Sequence, residues 1–295
     1  MNNKIHQEAV KQATQAKFRG KKTIKCKTKP LYPESAEREY ARVTNGYMKI
    51  LDDTVKKHMP AIMKAYKADL NASIREDDIH DVFDKTRREF QRMAEELERK
   101  LAKYGLQNLV GKVARVARKN SYRQWKRACK QTLGIDLMDD YYNGDFYRQA
   151  VQKWVDDNVL KIKSLPKDSL GSMQQIVYKG FQSGASVRDI SKEIQDEYQT
   201  SKHQAQMLAR DQLSTLNSQI TRLQQEDAGC KRYRWSTSKD SRVRDCHKSF
   251  EGKVFSWDDP PEGWYKTKNG IKYTGRRCHP GEDYMCRCVA IPVFD

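Results

Sequence analysis

Residues 78–104 read DIHDVFDKTRREFQRMAEELERKLAKY, and this stretch indicates the fold class most directly. Its apolar positions recur every three or four residues, the spacing of one face of an α-helix. They are Ile79, Phe83, Thr86, Phe90, Met93, Leu97 and Leu101. The opposite face mixes acidic and basic side chains, as expected for a face in water. The stretch therefore predicts a long amphipathic helix over 78–104.

The same spacing of apolar residues continues on both sides of this stretch. It predicts a helix that begins after Ser35, and further helices over about 108–131, 146–165 and 201–227. Proline has no backbone N–H and disturbs a helix interior. We therefore expect the first of these helices to break or kink at Pro60, and the helix over 146–165 to end at Pro166.

Two further helical patterns flank a turn at Ser183 and Gly184, with Ser186 as the cap of the second. This arrangement is superficially similar to a helix-turn-helix reader of DNA. Its second helix carries almost balanced charge, however, whereas a recognition helix faces phosphates. We interpret the segment as a packed helical hairpin.

The chain divides by composition into three predicted parts. Residues 1–34 form a basic arm, since residues 1–30 hold nine Lys or Arg and only one acid, Glu8. Such an arm is flexible unless it docks. Residues 35–227 form an elongated helical body. In 228–295, aromatic residues, Gly, Pro and Cys replace the helical pattern, which predicts a small α+β, β-rich module. The predicted fold class is thus mainly α, with a small Cys/His-containing C-terminal module.

Composition and charge exclude several classes of protein. The 295 residues include 57 Lys and Arg against 39 Asp and Glu, a formal net charge of +18. The sequence contains no run of about 18 apolar residues, the length that a membrane span requires. Its first residues do not resemble a secretory signal. Seven cysteines, an odd number, argue against a closed disulfide framework. Without an export signal, we expect their thiols to lie in a reducing cytoplasm. The basic excess favours nucleic acid as partner over a membrane surface.

The basic residues concentrate in one acid-free segment. No acid lies between Glu98 and Asp136, while eleven Lys or Arg do. On the helix over 108–131 we expect eight of them to bind the phosphates of double-stranded DNA without sequence preference: Lys112, Arg115, Arg118, Lys119, Arg123, Lys126, Arg127 and Lys130. The alternative is an ordinary solvated helix face.

The C-terminal part contains six potential metal ligands in three clusters, and thiolate and imidazole suit zinc. They are Cys246, His247, Cys278, His279, Cys286 and Cys288. A structural zinc would take one ligand from each adjacent Cys-His pair together with the two cysteines of the C-x-C sequence. The alternative is that the cysteines are reduced and act as small hydrophobic residues, with His279 fixed by the turn that follows it.

Four segments in this part resemble one known family. They are ARDQLSTLNSQ (209–219), WSTSKDSRVRDCH (235–247), FEGKVF (250–255) and RRCHPGEDYMCRCVAIP (276–292). Their order and separation are similar to those of the phage Mu F-like minor head proteins, also called phage head morphogenesis proteins. The resemblance covers about 170–295. Gln212 departs from it, since many members have Glu there.

The resemblance implies a minor head protein of a tailed bacteriophage. Such a protein associates with the portal protein, and with scaffold or major capsid protein, during head assembly. It lies near packaged DNA, and some members act in genome ejection. The implied location is the interior of the virion head at the portal vertex, and the host cytoplasm during assembly.

The rival class is an enzyme, a toxin-like nuclease that is either metal-independent or zinc-dependent. Its candidate groups are the carboxylates, guanidinium groups and imidazoles of one small module: Asp240, Arg242, Arg244, His247, His279, Glu282 and Asp283. No P-loop, nucleophile elbow or H-E-x-x-H motif accompanies them. Ion pairs and hydrogen-bonded histidines of a small fold explain the same residues. We therefore expect a structural protein with no catalytic residues.

Overall fold

The computed structural model describes residues 2–18, 20–73, 83–137, 142 and 144–295. Within this part of the chain the fold is mainly α, as predicted. The helices are α1 (Asn2–Lys17), α2 (Glu34–Ser73), α3 (Asp84–Lys103), α4 (Leu106–Leu133), α5 (Asp145–Ser183), α6 (Val187–Asp227) and the short α7 (Asp245–Phe250).

The strands lie at the two ends of the chain. They are β1 (Ile24–Lys25), β2 (Arg232–Ser236), β3 (Val254–Ser256), β4 (Glu262–Thr267), β5 (Gly270–Arg277) and β6 (Val289–Phe294). Four of them form one antiparallel sheet in the order β1-β6-β2-β3, and β4 and β5 form a separate hairpin. In the sheet, Tyr233 of β2 pairs with Pro292 of β6 and with Phe255 of β3.

The chain divides into two compact units. The first contains Met1–Arg38, Gly111–Val155 and Arg210–Asp295, and the second contains Glu39–Val110 and Asp156–Ala209. Both units thus combine segments that are distant in sequence. The predicted division into residues 1–34, 35–227 and 228–295 follows composition along the chain and stays a prediction.

The second unit has a helical core that includes the apolar face of α3. Thr86, Phe90, Met93 and Leu97 of that helix are buried, and they pack with apolar side chains of α2, α5 and α6. Asp69 is also buried and accepts hydrogen bonds from the Thr86 N–H and hydroxyl, at 2.8 and 2.7 Å. The periodicity over 83–103 is therefore confirmed, while residues 78–82 lie outside the described residues.

The helix end predicted at Pro166 is wrong, and helix α2 does not break at Pro60, where a kink stays a prediction. Pro166 lies inside α5 and Pro60 lies inside α2, where neither proline ends the helix. A proline inside a helix costs about 3 kcal/mol. Burial of apolar side chains on both sides of each proline, such as Ile162 and Leu170 around Pro166, offsets that cost. The helix predicted over 201–227 is the second half of α6.

The basic arm is docked in the first unit. Its residues 2–17 form α1, on which His6, Val10 and Thr14 are buried. Its residues Ile24 and Lys25 form β1, which pairs with Phe294 and Val293 of β6. Lys4, Lys11 and Lys17 of the arm therefore lie on a helix.

Apolar and aromatic residues of the C-terminal segment form a small core beside the sheet. Trp235, Trp257 and Tyr233 are almost fully buried, and Cys246, Phe250, Cys286, Cys288 and Ala290 join the same cluster.

The helical predictions at 108–131 and at the Ser186 cap are confirmed, since α4 covers 106–133 and the Asp189 N–H donates to Ser186 Oγ at 3.2 Å.

Candidate metal centre and nucleic-acid interface

The predicted DNA-binding residues lie on α4, and the structure separates them into groups. Lys112, Arg115, Lys119 and Arg123 are exposed, and no carboxylate of the described residues lies within 4.0 Å of their charged nitrogens. Their spacing of three or four residues places them on one face of the helix, which we call the α4 basic face. Arg127 is also exposed and without a carboxylate partner among the described residues.

The other three members of the predicted set are less available to a partner. Lys126 Nζ and Lys130 Nζ lie 3.3 and 3.2 Å from the Asp136 carboxylate. Arg118 is partly buried, and burial, followed by the charges of Arg148 and Arg115, lowers its pKa. One nitrogen of Arg118, Nη1, is buried without a hydrogen-bond partner. DNA binding by the eight residues stays a prediction, and five of them are exposed without a carboxylate partner among the described residues.

Of the six predicted metal ligands, the structure brings three together. His247 Nδ1 lies 3.6 Å from Cys286 Sγ and 3.7 Å from Cys288 Sγ. The three ligand atoms all lie within 4.8 Å of one another, and all three residues are buried. His247 is on α7, whereas the cysteines lie just before β6. No other such group of three is found among the described His, Cys, Asp and Glu residues.

Helix α6 and the last strand position the C-x-C segment. Asp211 Oδ1 accepts the N–H of Met285 at 3.0 Å, and the Ser214 hydroxyl donates to the Cys286 carbonyl. A tight turn precedes the segment at Gly281, whose φ of +89° favours glycine. An added Cβ there would also meet the Ser214 carbonyl at 3.2 Å. These contacts place both sulfur atoms beside α7.

The electrostatics of this group favour a charged thiolate. The hydrogen bonds from Cys288 and His247 hold the pKa of Cys286 well below its usual range, despite burial. The pKa of Cys288 is raised, because it shares a hydrogen bond with the neighbouring Cys286 and is buried. Burial lowers the pKa of His247, but the Asp283 and Cys286 hydrogen bonds outweigh it and raise the pKa to about 9.

The other three predicted ligands lie elsewhere. Cys246 is buried in the aromatic cluster around Trp235 and Phe250. Burial raises the pKa of the half-buried Cys278 thiol, which disfavours its thiolate form. His279 Nδ1 lies 3.0 Å from the Tyr233 hydroxyl.

Two features near the ligand group were not predicted as part of it. Asp283 Oδ2 lies 3.4 Å from His247 Nε2, the arrangement by which a carboxylate orients a ligating histidine. The sequence contained a signal for it, because Asp283 stands three residues before Cys286 within HPGEDYMC. A cavity of about 190 Å³ lies beside the group and is lined by Arg210, Arg242, Arg244 and Arg287. These arginines are dispersed in sequence, so no local pattern identifies the cavity.

The polar groups considered for a nuclease are only partly assembled. Arg244, His247 and Asp283 meet, since Arg244 Nη1 lies 3.1 Å from Asp283 Oδ2. Glu282 accepts the N–H of His279 at 2.9 Å and so closes the turn at 279–282. Asp240 forms an ion pair with Arg242 at 2.9 Å. The contacts of Glu282 and Asp240 are those of a stabilised turn and loop.

All seven cysteines are free thiols. Within the described residues, no helix combines the length and apolar character required to cross a membrane.

Comparison with known proteins shows what the C-terminal region is similar to. Residues 172–291 match the model of the family described as phage Mu protein F like protein, which confirms the resemblance for that region. An uncharacterized protein of Haemophilus influenzae (strain Rd) is 34% identical over 166 residues, which are 56% of this chain and 34% of that relative. The chain thus spans about a third of the length of the curated relative it matches. No solved structure matches it.

Proposed function

We propose that this protein acts in the morphogenesis of a tailed-bacteriophage head, as a minor head protein. The observation that carries the proposal is the match of residues 172–291 to the phage Mu F-like family. The proposed partners are the portal protein and other head components, and the proposed location is the head interior at the portal vertex.

Within that role, we propose that the α4 basic face contacts packaged DNA. Its four cations, which have no carboxylate partner among the described residues, lie between residues 112 and 123 and span about 16 Å of helix axis at 1.5 Å per residue. Cations of one sign repel each other unless an anion lies close to them. Duplex DNA supplies phosphates at closely spaced intervals, and each neutralised phosphate releases counterions and adds affinity without reading sequence.

The DNA-binding part is tested by the salt dependence of binding to random-sequence duplex DNA. Replacing Lys112, Arg115, Lys119 and Arg123 together by Gln is expected to reduce the slope of log K against log salt by about 3.5, at about 0.9 per phosphate contact. The matched control replaces four arginines that already pair with carboxylates: Arg38, Arg42, Arg88 and Arg92. Equal slopes for the two variants would reject the α4 basic face as the contact.

The head-assembly part is tested on particles. Virions purified from cells that produce the phage should contain this chain, and the chain should co-sediment with isolated portal rings. Virions that lack it would exclude a place in the finished head. If the virions contain the chain but portal rings do not bind it, the portal is excluded as partner and only the role in the head stands. Cleavage of DNA by wild-type protein would favour the nuclease instead.

A further inference from the structure

The ligand group is built as a metal site with one position left open. In a tetrahedral zinc site with Zn–N of about 2.05 Å and Zn–S of about 2.3 Å, the nitrogen and sulfur ligands stand about 3.6 Å apart. The observed distances from His247 Nδ1 to the two sulfur atoms are 3.6 and 3.7 Å. The Cys288 N–H donates to Cys286 Sγ at 3.4 Å, a hydrogen bond that stabilises a thiolate.

The second nitrogen of His247 is held as a metal ligand requires. Asp283 Oδ2 lies 3.4 Å from Nε2. A carboxylate there favours a proton on Nε2, so that metal binding displaces the proton of Nδ1, whose lone pair then goes to the ion. Reduced thiols that only pack as hydrophobic residues do not need this arrangement.

All three ligand residues line the arginine cavity, which offers space for a fourth, exogenous ligand. That cavity of about 190 Å³ is lined by His247, Cys286 and Cys288, and by Arg210, Arg242, Arg244 and Arg287. A site with three protein ligands keeps its fourth position for an exogenous ligand. Among the described residues, no fourth His, Cys, Asp or Glu side chain joins the three ligand atoms.

Cationic side chains outnumber anionic ones in the lining of the cavity, where, among the described residues, Asp240 is the one carboxylate beside four arginines. The guanidinium groups of the cavity pair with three carboxylates: Glu37 for Arg210 and Arg287, Asp240 for Arg242, and Asp283 for Arg244. These four guanidinium groups and three carboxylates together carry a net charge of +1. The Nε atoms of Arg210 and Arg287 are buried and have no hydrogen-bond partner. Leaving buried donors unpaired is costly, and both of these arginines are among the residues that line the cavity.

We propose that His247, Cys286 and Cys288 bind zinc, and that the fourth coordination position takes a phosphate-type oxyanion held by the arginine cavity. Two thiolates neutralise the ion's charge, so the attraction for the anion comes from the open coordination position and from the guanidinium donors. A planar guanidinium matches the geometry of phosphate oxygens. This inference goes beyond a role in head assembly and does not depend on it.

The zinc part is tested on the full chain purified without chelator. Elemental analysis is expected to give one zinc per chain, and cobalt substitution is expected to give thiolate-to-cobalt charge-transfer absorption. Cys286→Ser and Cys288→Ser should each lose about half of that absorption, while Cys278→Ser should leave it unchanged. Cys286→His, which keeps a ligand, should retain bound metal with reduced absorption. Zinc below half an equivalent, or equal loss in Cys278→Ser, would overturn the site.

The anion part uses inorganic phosphate as probe on the cobalt-substituted protein. Phosphate is expected to shift the visible cobalt bands with a saturable dependence, and Arg242→Gln should weaken that dependence roughly tenfold while leaving the metal bound. Lys272→Gln, an exposed change on β5, is the control. A short DNA lacking terminal phosphates is the second probe. A shift by DNA alone identifies a backbone phosphodiester as the oxyanion, and no shift by either probe overturns the proposal.

Discussion

Arg287 Nη2 donates to Glu37 Oε1 at 3.1 Å, joining two residues 250 positions apart in the chain. Arg287 stands between Cys286 and Cys288, and Glu37 lies in the first turn of α2. Arg210 Nε is 3.9 Å from the same carboxylate oxygen. One carboxylate at the start of the chain therefore serves two guanidinium groups of the C-terminal region.

Glu37→Gln is expected to lower the free energy of unfolding by about 2–3 kcal/mol, because it leaves two largely buried guanidinium groups without a carboxylate. The Glu37 side chain is 16% exposed, and those of Arg210 and Arg287 are 22% and 21% exposed. Urea titration measures the change. Glu34→Gln on the same helix is the control, since its ion pair with Arg38 is exposed and worth at most about 0.5 kcal/mol. Equal losses would show that Glu37 acts as a surface charge.

Gly46→Ala is expected to destabilise the second unit by about 1–3 kcal/mol, because the new Cβ would overlap the hydroxyl of Tyr104. That hydroxyl donates to the Val43 carbonyl at 2.9 Å. The loss should shrink when Tyr104→Phe is present, which a double-mutant cycle on thermal unfolding measures. Gly171→Ala, with open space around its Cβ, should instead stabilise by up to about 1 kcal/mol. An additive cycle would refute the overlap.

We expect the buried ring of His6 to make the protein less stable as the pH is lowered. His6 is buried, its Nε2 lies 2.6 Å from the Tyr142 hydroxyl, and burial lowers its pKa, only partly opposed by Asp227. Above the ordinary value of 6.5 the ring is neutral in both states, so its contribution is fully present. As the pH falls below that value the unfolded chain binds the proton first, and stability is lost.

The measurement compares unfolding free energies at about pH 7.5 and pH 5.5 for wild type and His6→Asn. The His6→Asn variant should lose less stability than wild type when the pH is lowered between these two values. The difference between the two losses should be below about 1.4 kcal/mol per pH unit. His203→Asn, an exposed change on α6, should behave as wild type. If His6→Asn keeps the full wild-type dependence, other groups cause it.

Single substitutions on α4 should separate unpaired from paired cations. Lys119→Gln is expected to reduce the salt slope of DNA binding by about 0.9, because Lys119 is exposed and without a carboxylate partner among the described residues. Lys130→Gln changes the net charge equally but removes a lysine already paired with Asp136, so its effect should be smaller. Fluorescence anisotropy at several salt concentrations gives both slopes. A larger effect of Lys130→Gln would contradict this assignment.

The helical class and most helix positions were predictable, because the spacing of apolar residues is a local signal. The apolar face over 83–103 and the helix over 108–131 needed no tertiary information. The continuity of α5 through Pro166 was not predictable in this way. The cost of a proline inside a helix is local, whereas the burial that offsets it depends on residues distant in sequence.

The candidate metal site was predicted in part. Composition and clustering identified six Cys and His residues, but adjacent residues on a short helix point in different directions. Only the docking of α7 against the segment before β6 selects His247 over Cys246. The same holds for α4, where only the position of Asp136 shows that Lys126 and Lys130 are paired.

The amino-acid sequence was sufficient to predict the helical periodicity, the positive charge of α4 and the family resemblance of the C-terminal region. Each of these is carried by residues close together along the chain or by simple counting. Only the tertiary structure shows that one face of α1 is buried, that three of six candidate ligands converge and that four dispersed arginines line one cavity. Such arrangements depend on which distant segments pack together. Burial, pairing and chain entropy over the whole fold decide which packing has the lowest free energy.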